Sequence, residues 1–180
     1  MPTAAYHTLG CKVNQYETEQ IRLAMERAGF ETVGFGSSAD VYVINTCTVT
    51  AVADAKSRAA IRKARRMNPN ARVIVTGCLA QLEPDLIAAL DNIDLIIPNA
   101  EKASVPARIA QSLGAQPNLK SSISSIQLRT RALVKVQDGC DHFCAYCIVP
   151  YARPGMRSRP VGEVVEELRG LAEAGYREVV

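Results

Sequence analysis

Val41-Tyr42-Val43-Ile44-Asn45-Thr46-Cys47 runs through four apolar residues and then turns polar, ending on a cysteine. An unbroken apolar run of this length reads as a strand buried on both faces, the pattern of a parallel sheet covered by helices. The composition recurs at Arg72-Val73-Ile74-Val75-Thr76-Gly77-Cys78, and residues 3–9 lead in the same way into Gly10-Cys11. Shorter apolar stretches at Phe30–Phe35 and Ile93–Ile97 read as further strands. Between them the helical period predicts helices over about 14–28, 52–66, 83–90 and 101–113. Asn14 followed by Glu17 fits a capping box at the first of these. In the second, Arg58, Arg62, Arg65 and Arg66 fall on one stripe. Pro84 and Pro106 are tolerated near helix starts.

Strands alternating with helices predict an α/β fold, a three-layer N-terminal domain over residues 1–113 with a mainly parallel sheet. Such sheets gather their ligands at the carboxyl ends of the strands. Cys11, Cys47 and Cys78 each follow a predicted strand directly, so this topology brings them to one edge. Taken singly, each is as well explained as a small buried hydrophobe. Three at the same end of three strands make coincidence a weaker explanation, with unrelated thiols on a differently ordered sheet as the other outcome.

Residues 114–128, with Ser121, Ser122, Ser124 and Ser125, read as a linker. A second domain then begins, over residues 129–180. Its first strand alternates through Arg131–Val136 and leads into Cys140-Asp141-His142-Phe143-Cys144-Ala145-Tyr146-Cys147. Three cysteines spaced C-x3-C-x2-C can hold one iron–sulfur cluster or one zinc. A cubic 4Fe–4S cluster normally takes four cysteines, so a loop offering three leaves one iron open. Structural zinc takes four ligands, and His142 is awkwardly placed between the first two cysteines to be the fourth. A helix over 162–174 and a strand from Tyr176 to Val180 follow. One strand, a loop, a helix and the start of another strand do not close a barrel, which typically takes about 250 residues. The chain therefore reads as a fragment of a longer protein.

The 180 residues are 48% hydrophobic and 22% charged, the composition of a soluble globular protein. No apolar run reaches the roughly 20 residues a membrane helix needs. The N-terminus lacks a signal-peptide pattern, which makes the cytoplasm the default location and disulfides an unpromising reading of the cysteines. Net charge is +3, unevenly spread. Lys56, Arg58, Arg62, Lys63, Arg65 and Arg66 form one basic block, and from Lys102 to Gln137 there is no acid. Both are candidates for contact with a phosphate backbone; a solvated face explains them as readily.

The cluster loop resembles the signature of radical S-adenosyl-L-methionine (SAM) enzymes, with Tyr146 as the aromatic residue before the last cysteine. Taken with Thr8-Leu9-Gly10-Cys11-Lys12-Val13-Asn14-Gln15-Tyr16-Glu17, Ile44-Asn45-Thr46-Cys47-Thr48-Val49-Thr50, Thr76-Gly77-Cys78 and Gln137 to Pro150, the chain resembles the methylthiotransferase family of these enzymes. Its first two motifs look most like the branch acting on N6-threonylcarbamoyladenosine in tRNA. The sister branches act on isopentenyladenosine and on a ribosomal-protein aspartate.

The resemblance implies two 4Fe–4S clusters and SAM as cofactors. Cys11, Cys47 and Cys78 would ligate an auxiliary cluster carrying the sulfur to be inserted. Cys140, Cys144 and Cys147 would ligate the cluster that cleaves SAM, with Tyr146 at the cofactor, in the first elements of a radical SAM partial (β/α) barrel. The implied reaction replaces hydrogen at adenine C2 beside the anticodon with a methylthio group. The implied partners are the tRNA anticodon loop and a low-potential electron donor, with no DNA and no membrane. One departure stands out. The family tends to carry A-R-G-x-x-R-S-R after the loop, and here Ala152-Arg153-Pro154-Gly155-Met156-Arg157-Ser158-Arg159 puts proline where glycine is common. Arg157 and Arg159 are candidates for SAM or phosphate contact, and any such role for Arg153 is weakened. A non-catalytic zinc- or RNA-binding module is the competing class.

Overall fold

The computed structural model describes residues 1–90, 93–112 and 131–180. It divides into two compact units, Met1–Ser122 and Ile123–Val180. The linker expected over 114–128 lies outside the described residues.

The first unit contains β1 (Thr3–Thr8), α1 (Lys12–Arg27), β2 (Glu31–Val33), β3 (Val41–Thr46), α2 (Ala51–Met67), β4 (Arg72–Gly77), α3 (Cys78–Leu82), α4 (Pro84–Ala88) and β5 (Leu95–Ile97). A 3-10 turn over Asn99–Ser104 and α5 (Val105–Ser112) complete it. The strands form one parallel sheet in the order β2-β1-β3-β4-β5. Every residue of β3 is buried, as its unbroken apolar run requires of a central strand covered on both faces. One core packs α2 and α3 residues Ile61, Ala64 and Leu79 against Tyr42, Ile44, Val73 and Val75. The other packs Ile21, Met25 and Ile109 of α1 and α5 against Val41, Val43 and Ile74. Alternate side chains of each strand feed opposite layers, which makes the expected three-layer α/β domain.

Several local expectations are corrected. The first helix begins at Lys12 with Cys11 as its N-cap, so Asn14 is not the capping residue. The helix expected over 83–90 is α4, Pro84–Ala88, and a further short helix, α3, precedes it where none was expected, Pro84 separating the two. Of the helix expected over 101–113, residues 101–104 wind instead as the end of a 3-10 turn ahead of Pro106.

The second unit contains β6 (Arg131–Ala132), β7 (Gln137–Asp138), α6 (Val149–Ala152), β8 (Arg157–Ser158), α7 (Val161–Glu173) and β9 (Glu178–Val179). Of the strand expected over 131–136 only Arg131–Ala132 is extended in a sheet, and the next strand, β7, begins just past it at Gln137. β6 pairs in parallel with β9, so β6, α7 and β9 make one β/α/β unit. β7 pairs antiparallel with β8, and the cysteine loop lies between those two strands.

Candidate metal centres

The strands followed by cysteines, β1, β3 and β4, are adjacent in the sheet. Cys11 therefore lies at the start of α1, Cys47 directly after β3 and Cys78 at the start of α3, all at the carboxyl edge. Cys47 and Cys78 are buried and Cys11 is exposed. Burial pushes the Cys47 thiol up; the Val49 and Thr48 amides oppose that, while the charges of Cys78 and Cys11 add to it. Cys47 thus senses the charge of the other two thiols along this edge.

Backbone closeness makes this edge possible. Gly10 has φ +93°, and a Cβ there would lie 2.7 Å from Cys47 Sγ. Gly77 has φ +104°, and its Cβ would lie 2.2 Å from the Thr46 carbonyl oxygen. Both positions exclude any side chain, so the chain turns tightly around the thiols.

A buried polar lattice ties the three cysteine-bearing loops together. Asn14 Nδ2 donates to the carbonyls of Leu9 (2.7 Å) and Thr46 (3.0 Å). Asn45 Nδ2 donates to the Asn14 carbonyl (2.9 Å) and to Thr18 Oγ1 (3.0 Å). Thr46 Oγ1 donates to the Thr76 carbonyl (2.6 Å). The Ser57 hydroxyl of α2 accepts from the Cys47 amide (3.3 Å) and lies 3.0 Å from its carbonyl. On the far side, Asn99 Nδ2 lies 3.8 Å from Cys78 Sγ, and Gln81 Oε1 accepts from the Asn99 amide (3.1 Å). Such outer contacts orient sulfur ligands and tune the centre they hold. Glu17, expected in a capping box, instead meets Lys102 Nζ at 2.5 Å, both side chains buried, and fastens α1 to the turn that carries Asn99.

In the second unit, Cys140 and Cys147 are half-buried and Cys144 is exposed. The Cys147 amide donates to the Cys144 carbonyl (2.9 Å), closing a turn. A Cβ on Gly139 (φ +75°) would lie 2.1 Å from the Gly155 carbonyl oxygen, so the flanks of the loop touch through backbone alone. Arg153, 7% exposed, donates through Nη1 to Asp138 Oδ1 at 2.7 Å across the base of the loop. Burial alone would raise the Asp138 carboxyl; the Lys135 and Arg153 hydrogen bonds outweigh it and hold it low. Arg153 is thus a buried strut. Arg159 contacts the Lys135 carbonyl (3.0 Å) and Glu167 (2.5 Å), whereas Arg157 is exposed. Tyr146 is 91% exposed, and Phe143 (φ 44°) meets Tyr151 edge-on at 5.5 Å.

Cys11, Cys47 and Cys78 thus follow three adjacent strands at one edge of the sheet, and Cys140, Cys144 and Cys147 lie on one braced loop. Among the described residues no three His, Cys, Asp or Glu side chains form a cage for a single metal ion. Each triplet offers thiols alone, a donor set suited to iron–sulfur clusters. His7 of β1 stacks on Phe35 (4.5 Å) and is a packed histidine. No helix among the described residues is long and apolar enough to cross a membrane.

Residues 3–98 match the model of a family described as "Uncharacterized protein family UPF0004". The chain is 42% identical over 193 residues to "Threonylcarbamoyladenosine tRNA methylthiotransferase MtaB" of Bacillus subtilis, covering 100% of this chain and 43% of that protein. It is 38% identical to the protein of that name in Aquifex aeolicus, covering 98% of this chain and 46% of the relative. It is 30% identical to "tRNA-2-methylthio-N(6)-dimethylallyladenosine synthase" of Thermodesulfovibrio yellowstonii, covering 96% of this chain and 43% of the relative. The chain spans less than half the length of these curated relatives.

Proposed function

The chain belongs to the UPF0004 family, in its MtaB-type methylthiotransferase branch, and on that premise we propose that the full-length protein carrying it transfers a methylthio group to adenine C2 of N6-threonylcarbamoyladenosine beside the tRNA anticodon. The observation that supports this reading is the position of Cys11, Cys47 and Cys78 directly after three adjacent parallel strands, in a chain that also carries Cys140, Cys144 and Cys147 on a braced loop.

Each triplet would hold a 4Fe–4S cluster by three thiolates. When bound, the loop cluster with SAM supplies the radical that an unactivated aromatic C–H requires, and the other supplies sulfur. The residues of this chain orient and shield. Asn14, Thr46 and Ser57 fix the loops bearing Cys11 and Cys47, and the Asn99 amide faces Cys78. Arg153 and Asp138 pin the base of the cysteine loop. Tyr146, exposed between Cys144 and Cys147, offers a ring face to the adenine of SAM. The partners on this reading are the anticodon loop, whose unstacked bases can be splayed out and read, and a low-potential electron donor. The reaction takes place in the cytoplasm, on residues 1–113 as the auxiliary-cluster domain and 129 onward as the start of the SAM domain.

The 30% identity to a dimethylallyladenosine synthase favours one second reading, the sister reaction on isopentenyladenosine. Nucleoside analysis of bulk tRNA from cells lacking the gene separates the two. We expect methylthio-threonylcarbamoyladenosine to vanish and its unthiolated precursor to accumulate. Loss of the isopentenyl product instead would install the sister reaction, and normal levels of both, with no sister gene to supply them, would overturn the proposal.

A further inference from the structure

Helix α2 carries Lys56, Arg58, Arg62, Lys63, Arg65 and Arg66 against a single acid, Asp54. Not every arginine of the expected stripe is presented to solvent. Arg58 pairs with Asp54 at 2.9 Å. Arg65 turns toward the sheet, donating to the Pro69 and Ala71 carbonyls and to Asp94. What remains on the solvent side is a different set: Lys56, Arg62, Lys63 and Arg66, all exposed. Among the described residues, no acid forms an ion pair with these four. The second basic stretch behaves in the opposite way. Lys102 is buried against Glu17, Arg108 pairs with Glu101, Arg131 with Glu178 and Lys135 with Asp138. Lys120 and Arg129 lie outside the described residues.

Three features of the α2 face select its partner. At about 1.5 Å per residue, Lys56 to Arg66 spans roughly 15 Å, a row of positive charge rather than a point. The exposed residues beside the cations include Ala55 and Ala59, too small to hold a bulky polyanion away from the helix, together with Val52, 63% exposed one turn ahead of Lys56. A membrane-surface helix would carry a row of large apolar residues beside its cations, and one valine at the helix start with alanines after it does not serve that purpose. The row is also placed where chemistry would need it. Only residues 48–50 separate the start of α2 from Cys47, so the face begins beside the thiol edge and runs away from it.

We infer that Lys56, Arg62, Lys63 and Arg66 form a docking strip for the phosphodiester backbone of the substrate RNA, gripping the strand by charge while the target base is presented elsewhere. The strip deepens the tRNA reading above and rests on it. Contacts of this kind position a nucleic acid without reading its sequence. They also make affinity depend on salt, at about 0.7 to 0.9 released counterions for each phosphate neutralised.

The test uses the full-length, cluster-reconstituted protein and an unmodified tRNA transcript, with Kd measured across a salt series. The K56Q/R62Q/K63Q/R66Q variant is expected to bind at least about tenfold more weakly near 0.1 M salt, with a log–log salt slope shallower by about 3. A charge-preserving variant, K56R/R62K/K63R/R66K, is expected to bind like the wild type, and R27Q, which removes a cation from α1, to change little. Unchanged affinity and slope in the quadruple glutamine variant would overturn the strip as a solvated face, while leaving the methylthiolation reading intact. Equal loss in the charge-preserving variant would overturn it as well, because charge would not be the cause. Wild-type protein that holds its iron yet binds no tRNA would remove both the strip and the reading beneath it.

Discussion

Gly77 shows how much of a motif's meaning lies outside its letters. Thr76-Gly77-Cys78 is legible as a strand ending on a cysteine, but not the reason for glycine. With φ +104° and the Thr46 carbonyl oxygen 2.2 Å from where a Cβ would stand, β3 and β4 can deliver Cys47 and Cys78 side by side only if position 77 has no side chain. Gly77→Ala is expected to destabilise the first unit by more than about 2 kcal/mol, the left-handed penalty of roughly 1–2 plus the clash. Denaturant unfolding checks it, and an unchanged midpoint would deny the close approach. The ion pair of Glu17 and Lys102 was equally hidden, because the partners are distant in sequence and the local pattern suggested a cap. Lys102→Met alone leaves a buried carboxylate without its cation and is expected to cost about 3–5 kcal/mol, whereas replacing both residues with apolar ones of similar volume should recover most of that.

At the scale of elements, the central strands β3, β4 and β5 were legible because each is a short apolar run bounded by polar or glycine residues, and buried parallel strands need little else. Helix ends were less so. Pro84 was correctly placed at a helix start, but α3 before it carries too few residues to show a period. The arginine stripe of α2 was legible as a face, but not the fate of each arginine on it. Periodicity states which residues share a face, not which of them find a carboxylate across the fold. Arg65 finds Asp94, which also binds Arg72 (2.8 Å) and the Val73 amide (2.8 Å) and so fastens α2 to β4. Burial works to raise the Asp94 carboxyl, but the Val73, Arg72 and Arg65 bonds together hold it below the ordinary range. A carboxyl lowered on folding contributes stability that is present above its unfolded pKa of about 3.9 and is lost as pH falls through the folded value. Asp94→Asn should therefore lower stability near neutral pH by about 1–3 kcal/mol and weaken its dependence on pH below about 4. Parallel stability–pH curves for the variant and the wild type would contradict the clamp.

For the whole molecule, sequence reasoning reached the edge of the sheet and not its interior wiring. Three strand-end cysteines and a parallel topology sufficed to place Cys11, Cys47 and Cys78 at one edge of the sheet. The asparagines and threonine beside them needed the fold, since the bonds Asn14–Thr46, Asn45–Asn14 and Thr46–Thr76 join residues some thirty apart, and Ser57 reaches Cys47 from the next helix. The cysteine loop was legible from spacing alone, while its strut, Arg153 on Asp138, was obscured by Pro154 beside it. The account stands on two thiol triplets acting as two separate centres. Its most direct test is iron and acid-labile sulfide per chain after anaerobic reconstitution of the full-length protein. We expect about eight irons in the wild type, two 4Fe–4S clusters, and about four in either C11A/C47A/C78A or C140A/C144A/C147A. Stoichiometric zinc without iron, or eight irons retained after loss of Cys11, Cys47 and Cys78, would contradict it.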